Sequence, residues 1–349
     1  MRVALINSIM PIKGSGDGIS EYNYNMYRQL SRSNEVKAVY AIEKAVKNDV
    51  LGIAKVNATL SRTAESAAKE GYDIYHIVNQ EVGFAARNIK GVSDKANVVT
   101  TIHDISRLVP GLHRGILQHA FNLVVRESVR IASEKSDFVM FDSTQTMNDA
   151  KKKFDFGQSK VVGLGIREEL LSPLRKKNIS KMFRVGYVGS FAYNKNVIFA
   201  LKAASHARDI EFNIYGIGNE YESLRKYVAS KGLKNTTLMG FAPEGRMLSI
   251  YDSFDAFVFP SMYEGFGLPI LEAQARGLPV VISKYGRIAE EVRKYCFKAE
   301  DEEHMASILQ DLKENGYGKK RRKLATKYAR SFTWEKCAAE ALKIYDKLV

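Results

Sequence analysis

Two glutamates, Glu264 and Glu272, stand with seven residues between them, on either side of Gly265-Phe-Gly267-Leu-Pro269. A glycine-rich turn that runs into a helix exposes backbone N–H groups at a positive helix end, an arrangement that suits phosphate or diphosphate. Pro269 is placed to start that helix, since proline is favoured at the first helical position. Glu272 then lies about one turn inside, and Glu264 lies on the loop side. Carboxylates only accept hydrogen bonds, and sugar hydroxyls donate them. A diphosphate on the amides of Phe266, Gly267 and Leu268, between two hydroxyl-binding carboxylates, describes a nucleotide sugar with a ribose on one side and a hexose on the other.

The elements that must position this turn are legible around it. Phe257-Val-Phe-Pro-Ser261 before it and Gly277-Leu-Pro-Val-Val281 after it are buried-strand runs, so the block reads strand, turn, helix, strand. The chain opens twice in the same way. Arg2-Val-Ala-Leu-Ile-Asn7 precedes Gly14-Ser-Gly-Asp-Gly18 and a helical stretch at 19–30, and Arg184-Val-Gly-Tyr-Val-Gly189 precedes a polar loop and a helix at 197–207. Further strands are expected at 36–40, 74–78, 97–102, 138–141 and 160–162. In the second half they are expected at 211–215, 236–239, 256–259, 279–283 and near Phe297. Short apolar strands alternating with amphipathic helices argue for two doubly wound α/β domains with parallel sheets. Polar Ser172-Pro-Leu-Arg-Lys-Lys-Asn-Ile-Ser180 is the expected linker. It separates a domain of residues 1–172 from one of 181–332, and helices are expected at 300–314, 319–330 and 333–348.

A chain of 349 residues can bury two ordinary cores, and 45% hydrophobic with 26% charged residues is typical of a water-soluble globular protein. No apolar run reaches the length of a membrane span, and the apolar part of the first strand is too short for a signal peptide. Cys296 and Cys337 match no metal or redox spacing and fit a reducing, cytoplasmic setting. The net charge is +14: residues 1–175 carry 24 basic and 19 acidic side chains, the remainder 29 and 20. The excess favours anionic partners, whether a nucleotide sugar, a lipid surface or nucleic acid. Its densest run, Lys319-Lys-Arg-Arg-Lys323, is either a solvated helix face or a site of attraction to an anionic membrane. Lys151–Lys153 and the amphipathic stretch 118–135 pose the same alternative.

Residues 260–273, Pro-Ser-x-x-Glu-Gly-Phe-Gly-Leu-Pro-x-x-Glu-Ala, resemble the family-4 retaining glycosyltransferases of the GT-B fold. An ordinary βαβ unit does not need paired glutamates around its turn. Phe332-Thr-Trp-Glu-Lys336 resembles the start of that family's last helix, which crosses back to the first domain, so residues 333–349 are expected there. The resemblance implies two Rossmann-like domains facing a central cleft, the acceptor on the first and the nucleotide sugar on the second.

Carried over residue by residue, Glu272 is expected to hold the ribose hydroxyls, and Glu264 the donor-sugar hydroxyls. Lys195, in Gly189-Ser-Phe-Ala-Tyr-Asn-Lys195, matches a lysine that neutralises the leaving diphosphate; the family's preceding arginine is absent, with Ser190 or Phe191 in its place. Gly240-Phe241 matches the segment that contacts the base, and Gly189, Ser190 and Gly216 lie on loops at the same sheet edge. Gly16 and Gly18 belong to the family's glycine-rich first loop, although its adjacent Gly-Gly is missing. His103, in Thr101-Ile-His-Asp104, matches a histidine that lies against the transferred sugar, with Asp104 as a structural or orienting neighbour. Tyr251-Asp-Ser-Phe-Asp255 holds two aspartates that fit a helix end, and the family uses neither metal nor cofactor.

The implied reaction moves a hexosyl group, mannosyl or glucosyl, from a UDP- or GDP-type donor to a glycan, lipid-linked or small-molecule hydroxyl with the anomeric configuration kept. That is a role in glycan biosynthesis, cytoplasmic or peripheral to the inner face of a membrane. The rivals are a GT-B nucleotide-sugar epimerase and a non-catalytic basic module, although no basic-aromatic motif suggests nucleic acid. Glu272→Ala is expected to abolish most transfer and leave the fold intact.

Overall fold

In the computed structural model, residues 1–10, 18–42, 50–112, 116–174 and 182–349 are described, with the backbone alone for 50–55 and 116–120. They form two compact units, Met1–Gly165 with Trp334–Val349, and Ile166–Thr333.

The first unit runs β1 (Arg2–Ile9), α1 (Gly18–Leu30), β2 (Glu35–Ile42), α2 (Val50–Glu70), β3 (Ile74–Ile77), α3 (Ala85–Val92), β4 (Val98–Ile102), α4 (Ile116–Lys135), β5 (Phe138–Phe141), α5 (Thr144–Lys151) and β6 (Ser159–Val161). The second runs β7 (Arg184–Val188), α6 (Val197–His206), β8 (Glu211–Tyr215), α7 (Tyr221–Ser230), β9 (Thr236–Gly240), α8 (Met247–Asp252), β10 (Ala256–Phe259), α9 (Leu268–Ala275), β11 (Val280–Ser283), α10 (Glu290–Arg293), β12 (Phe297–Ala299), α11 (Glu302–Asn315) and α12 (Lys319–Ala329). The last helix, α13 (Trp334–Tyr345), belongs to the first unit and packs against α1. Its Trp334 sits edge-on to Tyr22, ring centroids 6.1 Å apart.

Each unit holds one six-stranded parallel sheet, in the orders β2-β1-β3-β4-β5-β6 and β12-β11-β10-β7-β8-β9. All the strands expected from the sequence are present, as is the α/β alternation. Strands such as Ala256-Phe-Val-Phe259 and Val280-Val-Ile-Ser283 are buried at every position, as helices on both faces of a parallel sheet require. In each sheet the strand order reverses beside the first strand, β1 or β7. In open α/β sheets the loops beyond the carboxyl ends at such a point are where ligands bind.

Gly186 shows why one strand glycine cannot be replaced: a Cβ there would lie 2.2 Å from the ring of Phe254. That ring belongs to an aromatic layer that also contains Tyr251 and Phe257. Asp252 and Asp255 do structural work. Asp252 takes a two-pronged pair from Arg276, at 2.7 and 3.0 Å, and Asp255 accepts from the Arg184 N–H at 2.9 Å. Both cysteines are free and buried, which pushes the Cys296 thiol up to about 12.

Under the first sheet runs a buried polar chain. Tyr345 Oη lies 2.6 Å from His76 Nδ1, His76 Nε2 lies 2.7 Å from Thr101 Oγ1, and Tyr22 Oη lies 3.0 Å from that same hydroxyl. A neutral imidazole satisfies both neighbours, one ring nitrogen accepting and the other donating. Burial, and then the charge of His103, hold His76 down at about 3. Between that value and 6.5 the unfolded chain binds a proton that the folded chain refuses, so stability falls as pH falls through this window. The loss attributable to His76 is on the order of 3 kcal/mol between pH 7 and pH 4.5. His76→Asn is therefore expected to be less stable than the parent at neutral pH but to lose less on acidification, as followed by urea midpoints. Parallel pH curves for the two proteins would dismiss His76 as the cause.

Candidate functional site

The second unit gathers its chemistry around the N-terminus of α9. Residues 260–267 leave β10 as a loop sewn to two neighbours. The Met262 N–H donates to the Asn194 carbonyl at 2.8 Å, the Arg287 N–H to Met262 at 2.9 Å, and the Glu264 N–H to Arg287 at 3.0 Å. Gly267 takes the left-handed conformation, φ 101° and ψ 47°, which suits glycine, and α9 starts at Leu268 with Pro269 in its first turn. Among the described residues the N–H groups of Phe266, Gly267 and Leu268 have no acceptor, so three consecutive backbone donors are presented at a positive helix end. Phe266, 4% exposed, anchors the turn against Phe332, with centroids 6.0 Å apart.

The two glutamates lie on either side of this turn, and each already holds a cation. Lys195 closes a single-turn helix, Tyr193–Lys195, and Asn196 follows it with φ 51°. The Lys195 ammonium donates to both oxygens of Glu264, at 2.7 and 2.8 Å, and the Glu264 side chain is only 9% exposed. Glu272, with a side chain 1% exposed, accepts from the Arg167 guanidinium on one oxygen and from Tyr251 Oη at 2.7 Å on the other. Arg167 in turn reaches Glu244 through Nε at 2.8 Å. Burial works against the Arg167 charge, but Glu272 and Glu244 outweigh it and hold the guanidinium protonated. Burial and then the Glu272 charge push the Tyr251 phenol well above its ordinary range. Burial and then Glu264 do the same for Tyr187.

Several residues singled out from sequence serve packing. A Cβ on Gly216 would lie 2.1 Å from the Gly189 carbonyl oxygen, and one on Gly189 would lie 2.7 Å from Tyr187 Oη. Each of these two glycines is demanded by the protein's own neighbouring atoms, whatever else approaches the backbone there. Phe191 is buried and stacks on Tyr221 with centroids 5.9 Å apart, so that position offers no phosphate contact, whereas Ser190 is exposed. Gly240, with φ 72°, has open space around it, and Phe241 is 53% exposed.

His103 and Gly18 belong to the first unit. His103 follows β4, with Nδ1 2.6 Å from Asp142 Oδ2 and Nε2 2.7 Å from the Val78 carbonyl. Burial opposes a charge on the ring; Asp142, the Val78 carbonyl and Asp104 overcome it, and the imidazole sits above its ordinary value. Asp104 does not orient the ring. Its carboxylate accepts from the Ser106 N–H and hydroxyl, at 2.9 and 2.8 Å, and closes a local turn. Gly18 opens α1 with nothing near its would-be Cβ. Gly16 and the rest of the expected glycine loop, 14–17, lie outside the described residues.

The sequence reading missed Arg167, Tyr251, Glu244 and Asp142. Asp142 was within reach: Ile102 and Phe141 are paired neighbours of β4 and β5, so the next residues, His103 and Asp142, emerge side by side. Arg167 carries no local signal, being 105 positions from Glu272. Among the described residues no group of His, Cys, Asp and Glu side chains is placed to hold a metal ion, and no helix is long and apolar enough to cross a membrane.

Residues 174–332 match the family model for glycosyl transferases group 1. The chain is 35% identical over 117 residues to the O-antigen chain mannosyltransferase B of Escherichia coli, covering 32% of this chain and 30% of that protein. It is 29% identical over 183 residues to the D-inositol 3-phosphate glycosyltransferase of Paenarthrobacter aurescens, covering 48% and 44%. These matches span less than half the length of either curated relative. The fold matches sucrose-phosphate synthase from Thermosynechococcus elongatus with a TM-score of 0.83 at 20% identity, over 99% of this chain and 98% of that one. It also matches Anabaena HepE in complex with UDP-glucose, with a TM-score of 0.75 at 18% identity, over 99% and 100%. At such identities the likeness is one of GT-B fold.

Proposed function

Since residues 174–332 match the family model for glycosyl transferases group 1, we propose that the protein is a retaining hexosyltransferase that takes its sugar from a nucleoside-diphosphate donor. The observation that carries this reading is the cradle of three unengaged amides at the start of α9, flanked by Glu264 and Glu272, each supplied with its own cation. The donor diphosphate sits on the amides of Phe266, Gly267 and Leu268, the ribose faces Glu272, and the transferred hexose faces Glu264. HepE, of the same fold, is a complex with UDP-glucose, which favours a uridine or similar donor.

In the reaction the bond from the anomeric carbon to the diphosphate oxygen breaks, and the acceptor oxygen bonds to that carbon on the same face. The acceptor proton passes to the departing phosphate. Negative charge grows on the leaving group, and Lys195 with the cradle amides is positioned to stabilise it. Glu264 exchanges the ammonium for sugar hydroxyls as the donor enters. No metal or cofactor enters this scheme. The acceptor and His103 belong, in this reading, to the first unit. The acceptor is a hydroxyl of a glycan, a lipid-linked glycan or a small molecule, reached from the cytoplasmic side.

The test is a thermal-shift and calorimetric panel of UDP-, GDP- and ADP-sugars, followed by NMR of the product's anomeric configuration. One or more of these donors is expected to raise the melting temperature and to give a product of unchanged configuration. An epimerised nucleotide sugar formed without acceptor would point to the epimerase instead. A protein that bound none of the donors would overturn the proposal.

A further inference from the structure

Helix α12 carries a stripe that the donor site does not use. Lys319, Arg322, Lys323, Lys327 and Arg330 recur at the three- and four-residue spacing of one helix face. With Leu174 they line a groove of about 590 Å³ on the second unit. The opposite face of the helix is fixed in place: Ala325 and Ala329 are buried, the Tyr328 hydroxyl donates to the Glu291 carbonyl at 2.9 Å, and Arg321 lies 3.8 Å over the ring of Phe297. That packing leaves Lys319, Lys323 and Lys327 exposed, whereas the Arg322 guanidinium lies against Gly277. From Lys319 to Arg330 it extends about 16 Å at 1.5 Å per residue.

Among the described residues no acidic side chain pairs with Lys319, Arg322, Lys323 or Lys327, although Glu300 and Asp209 are paired with Lys284 and Lys313. Arg330 differs, since its guanidinium donates to the carbonyls of Ala275 at 3.1 Å and Ser172 at 2.7 Å. The unspent charge is thus mostly ammonium on long stems, which makes point charges without fixed geometry. Two leucines flank it in solvent, Leu174 at 38% and Leu324 at 46% exposure.

We propose that this face docks the protein on an anionic lipid bilayer, through its phosphate-bearing headgroups. Three features favour that occupant. Point charges spread over about 12 Å, from Lys319 to Lys327, suit a diffuse negative surface better than one shaped anion, which forked arginines and backbone amides would grip. The exposed leucines give an interfacial, apolar contact beside the cations. Among the described residues the groove has no aromatic side chain in its lining, whereas single-stranded nucleic acid needs platforms on which its bases stack. The proposal does not depend on the reading of the donor site.

The experiment is flotation of the full chain with vesicles of phosphatidylcholine alone and of phosphatidylcholine mixed with phosphatidylglycerol. The protein is expected to float only with the mixed vesicles, and less in high salt, where the screening length shrinks to a few ångströms. Replacing Lys319, Arg322, Lys323 and Lys327 together by glutamine is expected to weaken partitioning about 800-fold, because each basic residue near a negative leaflet adds about fivefold. Circular dichroism melting and the response to nucleotide sugars are expected to stay as in the parent, which separates this result from the fate of the donor site. K151Q/K152Q/K153Q on the first unit is expected to partition as the parent does. Equal flotation with neutral vesicles, unchanged flotation of the fourfold variant, or transfer of the loss to the 151–153 variant would each overturn the proposal. So would stripe-dependent binding of single-stranded RNA without vesicle binding.

Discussion

Lys195→Ala is expected to lower the turnover of glycosyl transfer about 100- to 1,000-fold, the range seen when one donor to a developing negative charge is removed. The effect should fall mainly on kcat. Before the donor binds, Lys195 is spent on Glu264, with both carboxylate oxygens within 2.8 Å of its nitrogen. The ammonium therefore exchanges one anion for another on binding, and its net gain comes when the leaving diphosphate acquires charge. The variant also leaves Glu264 nearly enclosed without its cation, so the donor KM should move in either direction by far less than kcat. Steady-state kinetics with the donor found in the panel decide the matter. A Lys195→Ala enzyme with parental kcat would remove the residue from the reaction and leave it as a structural partner of Glu264.

Glu272→Ala is expected to abolish most transfer and, contrary to the expectation from sequence alone, to weaken the fold as well. Glu272 is the most enclosed of the site carboxylates, and both of its oxygens are engaged, by Arg167 and by Tyr251. Deleting it leaves a guanidinium 15% exposed with Glu244 as its remaining acid. Breaking a buried pair costs about 3–5 kcal/mol when the survivor has no other partner. With Glu244 still in place a loss of about 2–3 kcal/mol is expected for the second unit. Glu272→Gln keeps an acceptor for Tyr251 and the volume of the side chain, so it should retain more stability than alanine while losing donor affinity. Urea unfolding alongside donor titration separates the two effects. A Glu272→Ala protein with parental stability would mean that the Arg167 pair contributes nothing, and one with parental activity would take Glu272 out of the ribose contact.

The two variants probe different kinds of pairing. The Lys195–Glu264 pair opens on the site and can be broken by a ligand, because its lysine is 21% exposed and comes from a short turn. The Arg167–Glu272 pair is deeper, is braced by Tyr251 and Glu244, and holds its carboxylate in one orientation before any donor arrives. One carboxylate is thus free to change partners, while the other is preorganised.

Much of this was legible in the chain itself. Strand periods and glycine turns marked out both parallel sheets, because a strand buried on two faces must be apolar at every position, and β10 and β11 are. The glycine turn at 265–267 and Pro269 announced a helix start with amides to spare, since the left-handed Gly267 and the imino acid act on the backbone locally. For Gly189 and Gly216 the sequence shows the need for glycine but not its cause. A glycine is required wherever anything approaches the backbone closely, and nothing local says whether that neighbour is a ligand or, as here, a carbonyl from the adjoining loop.

Residues a few positions apart suffice to set the periodic elements, the helix N-terminus that offers three amides, and the two carboxylates beside it. Which charge answers which is settled by the fold. Arg167 meets Glu272 across 105 residues, Asp142 meets His103 across 39, and Lys195 meets Glu264 across 69. Those meetings depend on strand order and loop stitching, which bring the ends of non-consecutive elements to one sheet edge, and no local periodicity encodes that order.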